Sequence, residues 1–392
     1  MWEIVIVLLL ICIVAYDIKG NTYLREGMHW LLWGLMTAMS AFAYNLGVDV
    51  MNAYQPVFEE YLPKFGQANV GDILFNLFPE FEPGYMLFTA LCKTIIPSWY
   101  FMKAIFAIIT NLIIFNLIKR YSSHFFSVLL LYFVLVFPAQ HFGFLRQTMA
   151  IWFMLLAFDR MHKKQWVRSI VWLLIATLCH TSALVLFVAP IYFLIGKDFK
   201  RFFIIFAVFA IVFILFREFI ISNVLSLGFS DYVGEKYETY SNDELRQRTF
   251  SFFTILKYVI NVGIPLYTIY LLNKRGKDVE YTPEVFLAST FLLINIFMPF
   301  LARANDYLDI FRYMLFVEFF FLIAEQIREI KISRAVVFSL IVGYTIAVGI
   351  SRYNRYMPYS PVKSIYAYYP YSSVFTKNMP PERQYIYNVR VE

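Results

Sequence analysis

Two carboxylates, a histidine and three arginines stand at the edges of long apolar runs, where a charge is costly unless it is paired or used. Asp49 lies in Gly47-Val48-Asp49-Val50-Met51-Asn52-Ala53-Tyr54, just after an apolar run. It can take a proton from a hydroxyl, orient a sugar hydroxyl, or simply face solvent, and Tyr54 places a ring nearby. In Glu82-Pro83-Gly84-Tyr85, Pro83 suits the first position of a helix and Glu82 the cap before it. Capping alone explains Glu82; so does a role as second catalytic carboxylate, with Tyr85 alongside. Arg146-Gln147 opens the run 145–160. An arginine there sits at the positive end of the helix dipole, which disfavours a purely stabilising role. Its planar fork matches the oxygens of a diphosphate; snorkelling to lipid headgroups is the plainer use.

Cys179-His180-Thr181-Ser182 marks the turn between two apolar runs. His180 can shuttle a proton, donate to a phosphate oxygen, or be structural. Arg303-Ala304-Asn305-Asp306-Tyr307 and Asp309-Ile310-Phe311-Arg312-Tyr313 bracket a short turn. Arg303 and Arg312 can close an anionic pocket with Arg146, or pair locally with Asp306 and Asp309. No HExxH, paired CxxC, Walker loop, GxSxG or dinucleotide glycine pattern occurs. Cys12, Cys92 and Cys179 lie in apolar stretches without metal-ligand spacing. We expect neither a metal centre nor a cofactor.

The elements carrying these residues are those of a membrane protein. The chain is 60% hydrophobic, 20% aromatic and 16% charged, against roughly 45–50% apolar and about 25% charged for a soluble domain. Apolar runs lie near 2–16, 28–46, 99–118, 124–140, 145–160, 166–180, 181–196, 202–222, 250–272, 283–301, 308–328 and 334–351. The net charge of +7 is spread over short clusters between them: Lys19/Arg25, Lys119/Arg120, Arg160/Lys163/Lys164, Lys197/Lys200/Arg201, Lys274/Arg275/Lys277 and Arg328/Lys331/Arg334. That is an orientation signal and not a nucleic-acid footprint. With all six inside, the chain makes about twelve crossings, both termini are outside, and every candidate site residue falls on the outer face. This closes only if 82–97, short and carrying Lys93 and two prolines, lies on that face as an amphipathic or re-entrant helix. The first run lacks a basic leader and a cleavage site and is read as a retained helix. We expect an all-α polytopic bundle over 1–351 and a Tyr/Pro-rich tail, 352–392, packed over the outer face.

The ordered set Gly47-x-Asp49 with Tyr54, Glu82-Pro83-Gly84-Tyr85, Arg146-Gln147, His180 with Ser182-Ala183, and the late Arg303, Tyr307 and Arg312 resembles the EpsG family, relatives of the Wzy-type polysaccharide polymerases. The resemblance runs through nearly the whole chain; Tyr85 stands where the family usually has Phe, and Thr181 where a basic residue is familiar. It implies a bacterial inner-membrane glycosyltransferase with an architecture similar to the GT-C enzymes. Such an enzyme joins undecaprenyl-diphosphate-linked oligosaccharides into capsule, exopolysaccharide or O-antigen at the periplasmic or outer face. A flippase and a chain-length regulator would be its partners. On that reading Asp49 is the base, with Glu82 second in line. Arg146, Arg303 and Arg312 hold the diphosphate, His180 assists, and Tyr54, Tyr85, Gln147 and Tyr307 contact substrate. The competing readings are a flippase or solute carrier, and a ligase or acyltransferase on lipid-linked glycans. A carrier places its site at the midplane between internal repeats, whereas these charges gather at one interface.

Overall fold

The computed structural model describes residues 1–208, 211, 215, 256, 258–295, 302–327, 329–357 and 361–391. Among the described residues the chain is helical and has no β-strand, only isolated bridges such as Ala43 with Ser373. It divides into two compact units, one formed by Met1–Leu184 with Phe320–Glu392, the other by Val185–Phe319.

In the first unit, α1 (Trp2–Cys12) runs on through a wider turn, Ile13–Ile18. It is followed by α2 (Arg25–Ala41), α3 (Pro83–Ile95) and α4 (Trp99–Tyr121). Next come α5 (Phe125–Leu135), α6 (Phe137–Phe142), α7 (Leu145–His162) and α8 (Trp166–Cys179). A tight helical stretch, Thr181–Val188, begins in the first unit and runs into the second, which holds α9 (Ala189–Ile195), α10 (Ile264–Lys274), α11 (Thr282–Ile294) and α12 (Ala302–Asp306). The chain ends with α13 (Asp309–Ala324), α14 (Ile330–Tyr353) and α15 (Pro381–Val391).

These elements follow the apolar runs closely. The expected 145–160, 166–180 and 334–351 appear as α7, α8 and α14. The runs 202–222, 250–272 and 283–301 and the loop 228–249 lie wholly or partly outside the described residues. Two described helices, α4 and α14, are long and apolar enough to cross a membrane unaided. At 23 and 24 residues they extend ~35 Å, more than the ~30 Å hydrocarbon layer. Others are cut short where proline restarts the helix: Pro138 opens α6 after α5, and Pro190 opens α9.

Ser98 caps α4, its hydroxyl accepting from the Phe101 amide at 3.4 Å, and Lys119 and Arg120 close it. Those cations meet acids from other helices: Lys119 pairs with Glu26 of α2 at 2.8 Å and Arg120 with Asp159 of α7 at 3.2 Å. Lys163 also reaches Asp159 at 2.7 Å. With Arg25, which donates to Ser123 O at 3.0 Å, three of the basic clusters collect at one end of the first unit. Arg146 lies at the opposite end of α7, ~20 Å away at 1.5 Å per residue.

The C-terminal segment belongs to the same unit. Tyr44 N–H donates to Ser372 O at 3.0 Å, Val374 N–H to Phe42 O at 3.0 Å, and Gly47 N–H to Ala367 O at 2.9 Å. Arg383 is fully buried and donates to Tyr366 O, Ser372 Oγ and Pro370 O. Met51, Val362 and Ile386 pack together. The tail is therefore tied to the stretch that carries Asp49.

Candidate functional site: a carboxylate held between arginine and histidine

Glu82 precedes α3 in extended backbone, and Pro83 supplies the preset first residue of the helix. Its carboxylate does not cap α3, which overturns capping as its explanation. Instead Oε1 accepts from His180 Nδ1 at 2.7 Å, from the Thr181 amide at 3.1 Å and from Thr181 Oγ1 at 3.3 Å. Oε2 accepts from Arg146 Nη1 at 2.7 Å. A carboxylate has no proton to give, so Nδ1 carries the imidazole hydrogen and Nε2 is the ring's other nitrogen. Burial alone would raise the Glu82 carboxyl; the His180 hydrogen bond, the Arg146 charge and the Thr181 amide outweigh it and bring it down to about 2. Both oxygens are committed and the group stays ionised, so Glu82 is a poor proton acceptor and a strong anchor.

The approach of α3 to α8 makes this possible. A Cβ on Gly84 would lie 2.8 Å from Leu178 O and 2.9 Å from Cys179 Sγ. Only glycine lets the two helices cross there, which brings Glu82, two residues before, beside His180, one residue after Cys179.

Arg146 is held on several sides. Nη1 also donates to Glu80 O at 2.8 Å, and Nε donates to Tyr54 OH at 3.2 Å. Its guanidinium lies 5.0 Å from the Phe81 ring centroid and 5.7 Å from that of Tyr54, within cation–π range. Tyr54, Phe81 and Tyr85 pack mutually, with centroids 5.3–5.9 Å apart, and all three are buried. Tyr85 OH has no hydrogen-bond partner among the described residues.

Asp49 lies on the same unit at the start of the turn Val50–Tyr54. It is half-buried and forms no hydrogen bond or ion pair among the described residues. Its charge is felt by the Tyr54 and Tyr368 hydroxyls. Two residues earlier Gly47 has φ +84°, and a Cβ there would sit 1.4 Å from the Phe142 carbonyl oxygen. Only glycine takes that conformation and that contact without strain. The Asp49 turn is thus seated on the end of α6.

The EpsG family model matches residues 29–361. The chain belongs to the EpsG family. No curated protein and no solved structure matches it.

Of the residues singled out in this EpsG protein, the first unit brings together Tyr54, Glu82, Tyr85, Arg146 and His180. Gln147 is buried in α7. Arg303, Tyr307 and Arg312 belong to the second unit. There Arg312 ion-pairs with Asp309 one turn before it, both nearly buried, and Tyr307 is 1% exposed. For Arg312 the local ion pair is therefore present. Sequence reasoning missed the Glu80 carbonyl, Phe81 and the Thr181 amide as members of the cluster. No group of three or more His, Cys, Asp or Glu suited to a metal occurs among the described residues.

Proposed function

We propose that this EpsG-family protein is a membrane glycosyltransferase that polymerises lipid-diphosphate-linked oligosaccharide repeats into surface polysaccharide. The observation carrying the reading is the division of labour between its two carboxylates. Glu82 is saturated by donors and anchors Arg146 and His180, while Asp49 is uncommitted and within electrostatic reach of the Tyr54 hydroxyl that accepts from Arg146. The donor sugar leaves as a diphosphate, already activated. What the protein adds is charge for the departing oxygen and a base for the acceptor.

In the proposed step the Asp49 carboxylate takes the acceptor hydroxyl proton and the acceptor oxygen bonds to the anomeric carbon. The bond from that carbon to the diphosphate oxygen breaks, its electron pair leaving on the diphosphate. The single displacement inverts the anomeric centre. Arg146 opposes the charge that develops on the leaving oxygens, with His180 as a further phosphate or proton contact. Arg303, Tyr307 and Arg312 remain donor contacts by family resemblance. The twelve crossings, the exterior site, the bacterial plasma membrane and an undecaprenyl carrier belong to the same proposal. The apolar outer stripe of α3, Leu87, Leu91 and Ile95, suits a short helix bordered by lipid rather than one crossing it.

The test is Asp49→Asn in the full-length protein, assayed on a lipid-diphosphate oligosaccharide. Polymer should vanish while substrate binding and the amount of protein in membranes hold. Single repeats should then accumulate on the outer leaflet; repeats trapped on the inner leaflet would favour a flippase. An active Asp49→Asn protein removes Asp49 as base.

A further inference from the structure

Lys103 is 1% exposed in the first turns of α4. A lysine inside an apolar helix is costly to keep unless it serves a purpose. No carboxylate pairs with it among the described residues. Its ammonium donates to the backbone carbonyl of His141 and lies 5.3 Å from the Phe142 ring centroid and 6.0 Å from that of Phe106.

The His141 carbonyl belongs to a break in the helical path. α6 stops at Phe142, Gly143 and Phe144 interrupt, and α7 restarts at Leu145. Helix ends leave carbonyls without intrahelical donors, and each needs another partner when buried. Here Gln140 O accepts from Thr148 Oγ1 at 3.0 Å, His141 O takes the Lys103 ammonium, and Phe142 O rests against Gly47. The His141 ring is also fixed, with Nδ1 2.9 Å from Ser40 Oγ and Nε2 3.3 Å from Tyr132 OH. Tyr132 in turn donates to Gln140 Oε1 at 3.0 Å. Lys103, Ser40, Tyr132, Gln140, His141, Phe142 and Thr148 around the break are all buried. The first turn beyond the break projects Arg146 onto Glu82.

We infer that Lys103 is a positioning residue: by capping the His141 carbonyl it fixes the α6–α7 break and so aims Arg146. The functional half of this inference rests on the proposed role of Arg146; the structural half does not. Lys103→Met keeps the length and removes the donor, and an apolar replacement for a buried charge is commonly tolerated. In the full-length protein in nanodiscs, hydrogen exchange of the Gly143–Thr148 amides should accelerate about tenfold or more, as expected for a lost hydrogen bond to a charged group. Polymer formation should fall by about tenfold in the otherwise native protein and by less than about twofold in an Arg146→Lys background, because a loss transmitted through Arg146 is not additive with losing Arg146 itself. Unchanged exchange would overturn the inference, as would equal losses in both backgrounds. Full activity in Arg146→Lys alone would instead count against the proposed function, leaving the exchange result to decide on the break. Lys103→Leu, which also lacks a donor, gives the same pair of readings where the Met variant fails to accumulate.

Discussion

Glu82→Gln separates the anchoring role of Glu82 from any plainer one. Glutamine keeps an oxygen for His180 and Thr181, but it turns an amide nitrogen toward Arg146 Nη1, donor against donor at a 2.7 Å approach. The cost can be worked from the carboxyl itself. At about 1.4 kcal/mol per unit, the fall from 4.5 to about 2 means the folded protein favours the ionised form by about 3 kcal/mol. The group is 10% exposed, so solvent screening takes little of this. The folded value lies below the unfolded one, so the contribution is complete above about pH 4.5 and disappears as pH falls through about 2. Purified Glu82→Gln should melt lower than the native protein near neutral pH, by on the order of 5 °C. The gap should hold down to about pH 5 and close on further acidification. Polymer formation should drop with it, since Arg146 and His180 lose their common anchor. Equal melting at neutral pH, or a gap that widens in acid, would refute the reasoning.

Arg146→Lys keeps a positive charge but cannot serve Glu82, Glu80 O and Tyr54 at once. Polymer output should fall at least tenfold with normal protein levels in membranes, and full output from Arg146→Ala would return Arg146 to headgroup snorkelling. Reporter fusions after Lys164 and after Glu392 should report opposite compartments; a cytoplasmic C-terminus would reverse the proposed orientation and move the site with it.

The helices were legible in the sequence because apolar runs bounded by charge leave few alternatives. α7 and α8 begin within a residue of where their runs begin. Pro83 read correctly as a first helical residue. The ionisable members of the cluster, Glu82, Arg146 and His180, were legible too, since each is a polar exception beside an apolar run. Their partnerships were not. Glu82 is 64 residues from Arg146 and 98 from His180, and no local pattern specifies which distant donor a carboxylate will meet. Capping and catalysis were thus equally open for Glu82 from its neighbours in sequence, when neighbours in space occupy both its oxygens. Gly47 and Gly84 were quoted only as parts of motifs. What makes them glycines is a backbone from elsewhere, the Phe142 carbonyl in one case and Leu178 in the other.

The Gly84 contact also sets how the first unit can deform. The two helices come closest at Gly84, against the Leu178 carbonyl, so a tilt of α3 on α8 turns about that point. Ile95, the far end of α3, lies eleven residues beyond it, ~16 Å along the axis, so a tilt of about 5° swings it by ~1.4 Å. The same tilt displaces Glu82, ~3 Å from the fulcrum, by only a few tenths of an ångström. In such a tilt the Glu82–His180 contact changes least, while the ties at the far end of α3, Lys93 to the Phe58 carbonyl and the Phe65 amide to Thr94 Oγ1, take up the movement.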